Sequence, residues 1–252
     1  MIRIFAFLML WFISFANAQN DTLFNNGTES YNQGDYNKAI EHYLKILENG
    51  EHSAELYYNL GNSYYKLNQI APSIYYYEKA LLLKPNDPEI ENNLGYAQNM
   101  TLDAIETMPE TGLSKIYSTI VSVLSFDQWG YTAVILMMLF VILYIAFYYL
   151  KYATHKRIAF ITGMLCLFLA ITAAIIAFMS YGDFKADQPA IIFSDEVIIK
   201  SEPNARSQEV FRLHEGTKIH VLEEFNDWKK IRIVDGQTGW LASENIKLLK
   251  DF

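Results

Sequence analysis

The chain has 252 residues, 52% of them hydrophobic and 15% aromatic, with 19% charged and a net charge of −8. That mixture points to water-facing parts joined to membrane-facing parts, and its acidic balance argues against nucleic acid, which needs a concentrated Lys/Arg surface. The single cysteine, Cys166, excludes an internal disulfide and a cysteine-based metal cage.

The chain opens with Arg3, an apolar run from Ile4 to Phe15, and then Ala16-Asn17-Ala18. A positive start, a short apolar middle and small residues at −3 and −1 read as a secretory signal over 1–18, cleaved after Ala18. The run is too short to span a bilayer, which needs about 20 residues. An uncleaved anchor is the alternative.

Beyond it, Gly27, Gly61 and Gly95 recur at intervals of 34 residues. That is the period of the tetratricopeptide helix-turn-helix repeat. The unit 54–87 carries Tyr57, Leu60, Gly61, Tyr64, Ser73, Tyr77, Ala80 and Pro85. It resembles the tetratricopeptide pattern of aromatic, Leu-Gly, Tyr, small, aromatic, Ala and Pro. Residues 20–53 match more loosely through Leu23, Gly27, Ala39 and Tyr43, and 88–104 read as a capping helix, giving a repeat domain over 19–104. Each unit pairs two antiparallel helices whose small residues let the backbones approach. A unit cannot bury its apolar face alone, so an array this short is expected to lean on a partner or the membrane.

In such arrays ligands bind the concave side, built from the first helix of each repeat. The resemblance puts Phe24, Thr28, Tyr31, Tyr58, Asn62, Tyr65, Asn92, Tyr96 and Asn99 there as protein-binding candidates. The same tyrosines also suit plain packing or a solvated face. The domain holds 5 Lys/Arg against 12 Asp/Glu, and its groove lacks the basic set that tetratricopeptide clamps use on a C-terminal carboxylate.

Residues 105–128 form a membrane-proximal linker in which Leu113, Ile116, Tyr117, Ile120, Val121 and Leu124 keep helical spacing. An amphipathic helix on the membrane surface and a rigid connector both fit. Residues 129–150 and 158–181 are charge-free and long enough to cross a bilayer, with aromatics near their ends. Asp127 stands where it would cap the first span. The loop 151–157 carries Lys151, Lys156 and Arg157, which places it in the cytoplasm and both flanking segments outside. The export signal predicts the same topology.

From 182 to 252 the pattern turns to short β-rich pieces, with alternation in "KIHVLEE" and a hairpin signal at Asp235-Gly236. With Gly216, Trp228, Gly236, Gly239 and Trp240 as landmarks, this stretch resembles a small all-β bacterial SH3-like barrel. Its opening departs from that family's usual Asn-Val-Arg, having Ile199-Lys200 there. Such domains bind cell-wall peptides, contact proteins or act as spacers.

The five histidines are scattered, and no hydrolase, phosphate-loop or metalloprotease motif occurs. The reading is a non-enzyme without catalytic residues, cofactor or metal. The fold class is multidomain: all-α tetratricopeptide-type repeats, a two-helix transmembrane hairpin and an all-β SH3-like barrel. In that order these parts resemble the BatE family of the bacterial aerotolerance operon. The resemblance implies an inner-membrane scaffold with both soluble domains periplasmic. It also implies assembly with membrane-anchored von Willebrand A-domain proteins of one envelope or oxidative-stress complex. The alternative is a cell-wall sensor that binds peptidoglycan through the SH3-like domain.

Overall fold

The computed structural model describes residues 19–103 and 112–250. The export signal expected over 1–18 and the first part of the linker lie outside the described residues. Within them the chain forms two units: 19–103 together with 188–250, and 112–187.

In the first unit, helices α1 (19–32) and α2 (Tyr36–Glu48) form one hairpin, and α3 (Ala54–Lys66) and α4 (Ile70–Leu83) form the next. Helix α5 (Pro88–Gln98) follows at the same period. The starts are coded locally. Asp35, Ser53 and Asp87 each accept a backbone N–H from the first turn of their helix, and Pro88 takes the first position of α5.

The seam inside each hairpin depends on a missing side chain. A Cβ on Gly27 would stand 2.5 Å from the Tyr43 ring, and one on Gly61 would stand 2.6 Å from the Tyr77 ring. Glycine therefore lets each tyrosine ring approach the opposing backbone closely. Ala39, Tyr43, Leu60, Ser73, Tyr77 and Ala80 are buried with them, and the Ser73 hydroxyl donates to the Gly61 carbonyl at 2.9 Å. Tyr64, half-buried, stacks on Tyr76 at 5.5 Å, while Pro85 is exposed beyond the end of α4.

Residues 188–250 form a seven-stranded antiparallel sheet: β1 (Pro189–Ile192), β2 (Glu196–Lys200), β3 (Glu209–His214), β4 (Lys218–Phe225), β5 (Trp228–Arg232), β6 (Thr238–Ala242) and β7 (Ile246–Leu248). The strand order is β3-β2-β6-β5-β4-β1-β7. Ala190, Ile192, Ile199, Leu213, Ile219, Ile231 and Leu241 fill its core. Ile199 is fully buried in the core of the sheet, and Lys200 pairs across it with Trp240.

The sheet is seated on α4. Ile191 and Leu249 belong to the apolar core of the repeats, and Phe193 meets Tyr75 edge-on at 5.5 Å. One face of the short array is thus covered by the C-terminal sheet of its own chain. Gly216, at φ +82°, turns β3 into β4 against this helix; a Cβ there would come within 3.0 Å of Ile74 and 2.9 Å of Thr101. A left-handed turn and a close approach both demand glycine at that position.

In the second unit α6 (Gly112–Val121) precedes α7 (Phe126–Tyr149) and α8 (Ala153–Ala186). The last two are long and apolar enough to cross a membrane. Both begin ahead of their apolar runs. Ser125, rather than Asp127, caps α7, because Ser125 and Gln128 close a reciprocal capping box and Asp127 falls inside the first turn. At the other end Tyr149 is the last helical residue, and α8 begins at Ala153, inside the expected loop 151–157. Helix α8 also continues through Gly182–Ala186, so the sheet starts only at Pro189. Helices α7 and α8 pack through Ala159, Gly163, Cys166, Ala170 and Ala173, a stripe of small residues at helical spacing.

Candidate functional site

The first-helix stripe of the repeats converges only in part. Tyr31 of α1, Asn62, Tyr65 and Lys66 of α3, Tyr77 of α4 and Asn93 and Tyr96 of α5 line a cavity of about 140 Å³. Four of the nine candidates, Tyr31, Asn62, Tyr65 and Tyr96, are therefore brought together.

A hydrogen-bond network holds the floor. Asn62 Oδ1 accepts from the Tyr77 hydroxyl at 2.6 Å and from Asn93 Nδ2 at 3.1 Å. Asn93 Nδ2 also donates to the Tyr58 hydroxyl at 2.7 Å, which in turn donates to Glu89 Oε1 at 2.7 Å. Burial, followed by the Glu89 carboxylate, pushes the Tyr58 phenol up to about 12. Burial raises Tyr77 and Tyr31 as well. These phenols stay neutral across any physiological pH and offer hydroxyls and ring faces rather than charge. Tyr96 is 62% exposed and forms the open rim.

The other five candidates do not line this cavity. Tyr58 lines a separate cleft of about 410 Å³ with Glu55, Asn59, Asp87, Glu89 and Ile90. Phe24 packs against the Tyr43 ring at 5.7 Å, and Thr28 is engaged by the Tyr43 hydroxyl and the Phe24 carbonyl. Asn92 and Asn99 are exposed, and Asn99 is the C-terminal cap of α5.

Asn93 was missed because carrying the 34-residue offset from Tyr58 lands on Asn92. The signal was the face of α5 itself: Glu89, Asn93 and Tyr96 follow at i, i+4 and i+7, the spacing of one helical stripe. Among the described residues no group of three or more His, Cys, Asp or Glu is arranged to hold a metal ion.

A polar clasp accompanies the apolar seat of the sheet. Asp103 accepts from the His214 backbone N–H at 2.7 Å and the Thr217 hydroxyl at 2.6 Å, and its second oxygen meets His214 Nδ1 at 2.7 Å. Burial alone would push the Asp103 carboxyl up, but the donors from Thr217 and His214 hold it below its ordinary value. Lys218 Nζ reaches Glu78 Oε2 at 2.6 Å. The buried Lys79 ammonium lies 4.9 Å from the Tyr57 ring and 5.2 Å from the Tyr75 ring.

The remaining sheet landmarks take paired and turn positions. Trp228 faces Phe225 across the β4–β5 hairpin, Gly236 lies in the β5–β6 turn, and Gly239 and Trp240 pair with Ile231 and Lys230.

Comparison with known families agrees with this architecture. Residues 54–87 match the tetratricopeptide repeat model, 27–68 match a further TPR repeat model, and 195–247 match the bacterial SH3 domain model. No curated protein matches the sequence. The chain carries tetratricopeptide repeats, two apolar helices suited to a membrane anchor and a bacterial SH3 domain. Modules of these two kinds serve interaction with proteins or peptidoglycan, typically without catalysis.

Proposed function

We propose that this protein is a non-enzymatic, membrane-anchored adaptor that binds a protein partner on the concave face of its repeats. The observation that carries this reading is the cavity where Tyr31, Asn62, Tyr65, Asn93 and Tyr96 converge. Neutral hydroxyls, amides and exposed ring faces suit an extended peptide segment, whose backbone offers donors and acceptors alternately.

The clasp between repeats and sheet supports a shared location for both modules. Two apolar helices separate them in sequence, yet they pack on one another, which supports the reading that both lie on the same side of the bilayer. The basic loop between the spans favours the cytoplasm, and the export signal leads outward, so the modules belong in the periplasm at an inner membrane. The resemblance to the BatE family fits this arrangement. On that reading the partners are von Willebrand A-domain membrane proteins of an aerotolerance complex.

The test is a cross-linked pull-down of the full chain from native membranes, comparing wild type with Tyr65→Ala/Tyr96→Ala. Both side chains reach the cavity without joining the floor network. The double variant should keep its folding and lose partner recovery. Equal recovery would overturn the groove as the binding site. Alkaline phosphatase fused after the last residue should be active; a stable, inactive fusion would place the C-terminal module in the cytoplasm.

A further inference from the structure

Helix α6 is two-faced. Ile116, Tyr117, Ile120 and Val121 follow at helical spacing on one side, and Lys115, Ser118, Thr119 and Ser122 occupy the other. Part of the apolar side is tied to the helical hairpin. The Tyr117 hydroxyl donates to the Asp183 carboxylate near the end of α8, and the Trp129 indole N–H donates to the Val121 carbonyl at 3.4 Å. The rest is bare. Ile116, Ile120 and Val123 are 58%, 45% and 66% exposed.

The place of this strip follows from chain geometry. Helix α6 ends at Val121 and α7 begins at Phe126, and the Trp129 bond holds the last turn of α6 beside the first turn of α7. At that same level the Phe126 ring packs on Tyr181 at 5.6 Å and on Phe184 at 5.1 Å. Aromatic collars of this kind collect at the headgroup level of a bilayer. Twenty-four residues of α7 extend about 36 Å at 1.5 Å per residue, slightly more than a hydrocarbon core of about 30 Å, so its first turn lies at the boundary.

We propose that α6 is an interfacial helix, with Ile116, Ile120 and Val123 inserted among the acyl-chain ends of the leaflet where α7 starts and α8 finishes. The proposal rests on the reading of α7 and α8 as membrane spans. Lipid is the occupant because the strip continues into the exposed apolar surface of α7, at Tyr131, Val134, Ile135 and Met138, across a four-residue turn. Lys115 is the one charged residue in α6, so the attachment is hydrophobic and does not need anionic lipid. An interfacial helix bonded to both spans would fix the depth and roll of the hairpin.

Site-directed spin labelling of the full chain tests this. In a Cys166→Ala background, single cysteines replace Ile116, Ile120, Lys115, Ser122 and, as a reference on α7, Ile142. The protein is reconstituted in phosphatidylcholine vesicles, and each label is probed with oxygen and with a water-soluble nickel complex. Labels from Ile116→Cys and Ile120→Cys should be oxygen-accessible like Ile142→Cys, and those from Lys115→Cys and Ser122→Cys nickel-accessible. Adding phosphatidylglycerol should change nothing. An Ile120→Cys label that is nickel-accessible, or shielded from both probes, while Ile142→Cys stays lipid-exposed would overturn the interfacial helix alone. A nickel-accessible Ile142→Cys label would overturn the spanning reading, and the interfacial assignment with it.

Discussion

Helices α2 and α4 hold the same place in successive repeats, yet they are buried differently. Helix α2 buries one stripe, Ala39, Ile40, Tyr43 and Ile46, and turns Glu41 and Lys45 to water as an exposed ion pair at 2.7 Å. Thirty-four residues on, the equivalent positions are Tyr75 and Lys79, and both are buried. Glu78 is buried too. Helix α4 is therefore buried on more than one face, and the sheet supplies the second wall. One repeat position thus serves as a solvated face in one unit and as a docking face in the next.

The largest expected effect tests that difference directly. Tyr75→Ala should cost about 3 kcal/mol, the low end for truncating a buried aromatic, because the ring touches Tyr76 and Phe193. Glu41→Ala, at the same repeat position, should leave thermal melting of the purified full chain unchanged. Equal effects at the two sites would mean that the sheet does not dock on α4 in solution.

The polar clasp should contribute less. Glu78→Gln removes one partner of an ion pair whose lysine is about one-third exposed. Solvent screening brings the expected loss to about 1–2 kcal/mol, below the cost of breaking a fully buried pair. A double-mutant cycle with Lys218→Met should return a favourable coupling; strict additivity would dissolve the pair.

Asp103 adds a pH dependence. Its carboxyl is held below the ordinary value, so its contribution is complete above about pH 4, the usual carboxylate range, and is lost as pH falls through the folded value. Asp103→Asn should lower the melting temperature at neutral pH and flatten the acid limb of a melting-temperature profile. An unchanged acid limb would remove Asp103 from the clasp.

The repeat was legible because its signature residues pack within one hairpin, where the Gly61–Tyr77 contact depends only on local sequence spacing. The sheet was legible through alternation and the Asp-Gly turn. Docking was not. Tyr75 and Glu78 look like an ordinary helix surface until Phe193 and the start of β4 arrive from more than a hundred residues away. The sequence did indicate that so short an array needed support, without indicating which surface would provide it. Asn93 was hidden for a different reason: a period copied from one helix to the next fixes a position only to within a residue.

The smallest expected effect concerns the end of the array. Gly27 and Gly61 each accept a tyrosine ring, whereas a Cβ on Gly95 would meet nothing within 4 Å. At Gly61 an alanine methyl would collide with Tyr77, so that change should destabilise. At Gly95 it enters open space on a helix, and alanine gains the helix propensity that glycine lacks, about 0.5–1 kcal/mol. Gly95→Ala should therefore raise the melting temperature slightly. A loss instead would mean that a further helix packs on α5 as α4 packs on α3, and that α5 opens a third repeat rather than capping the second.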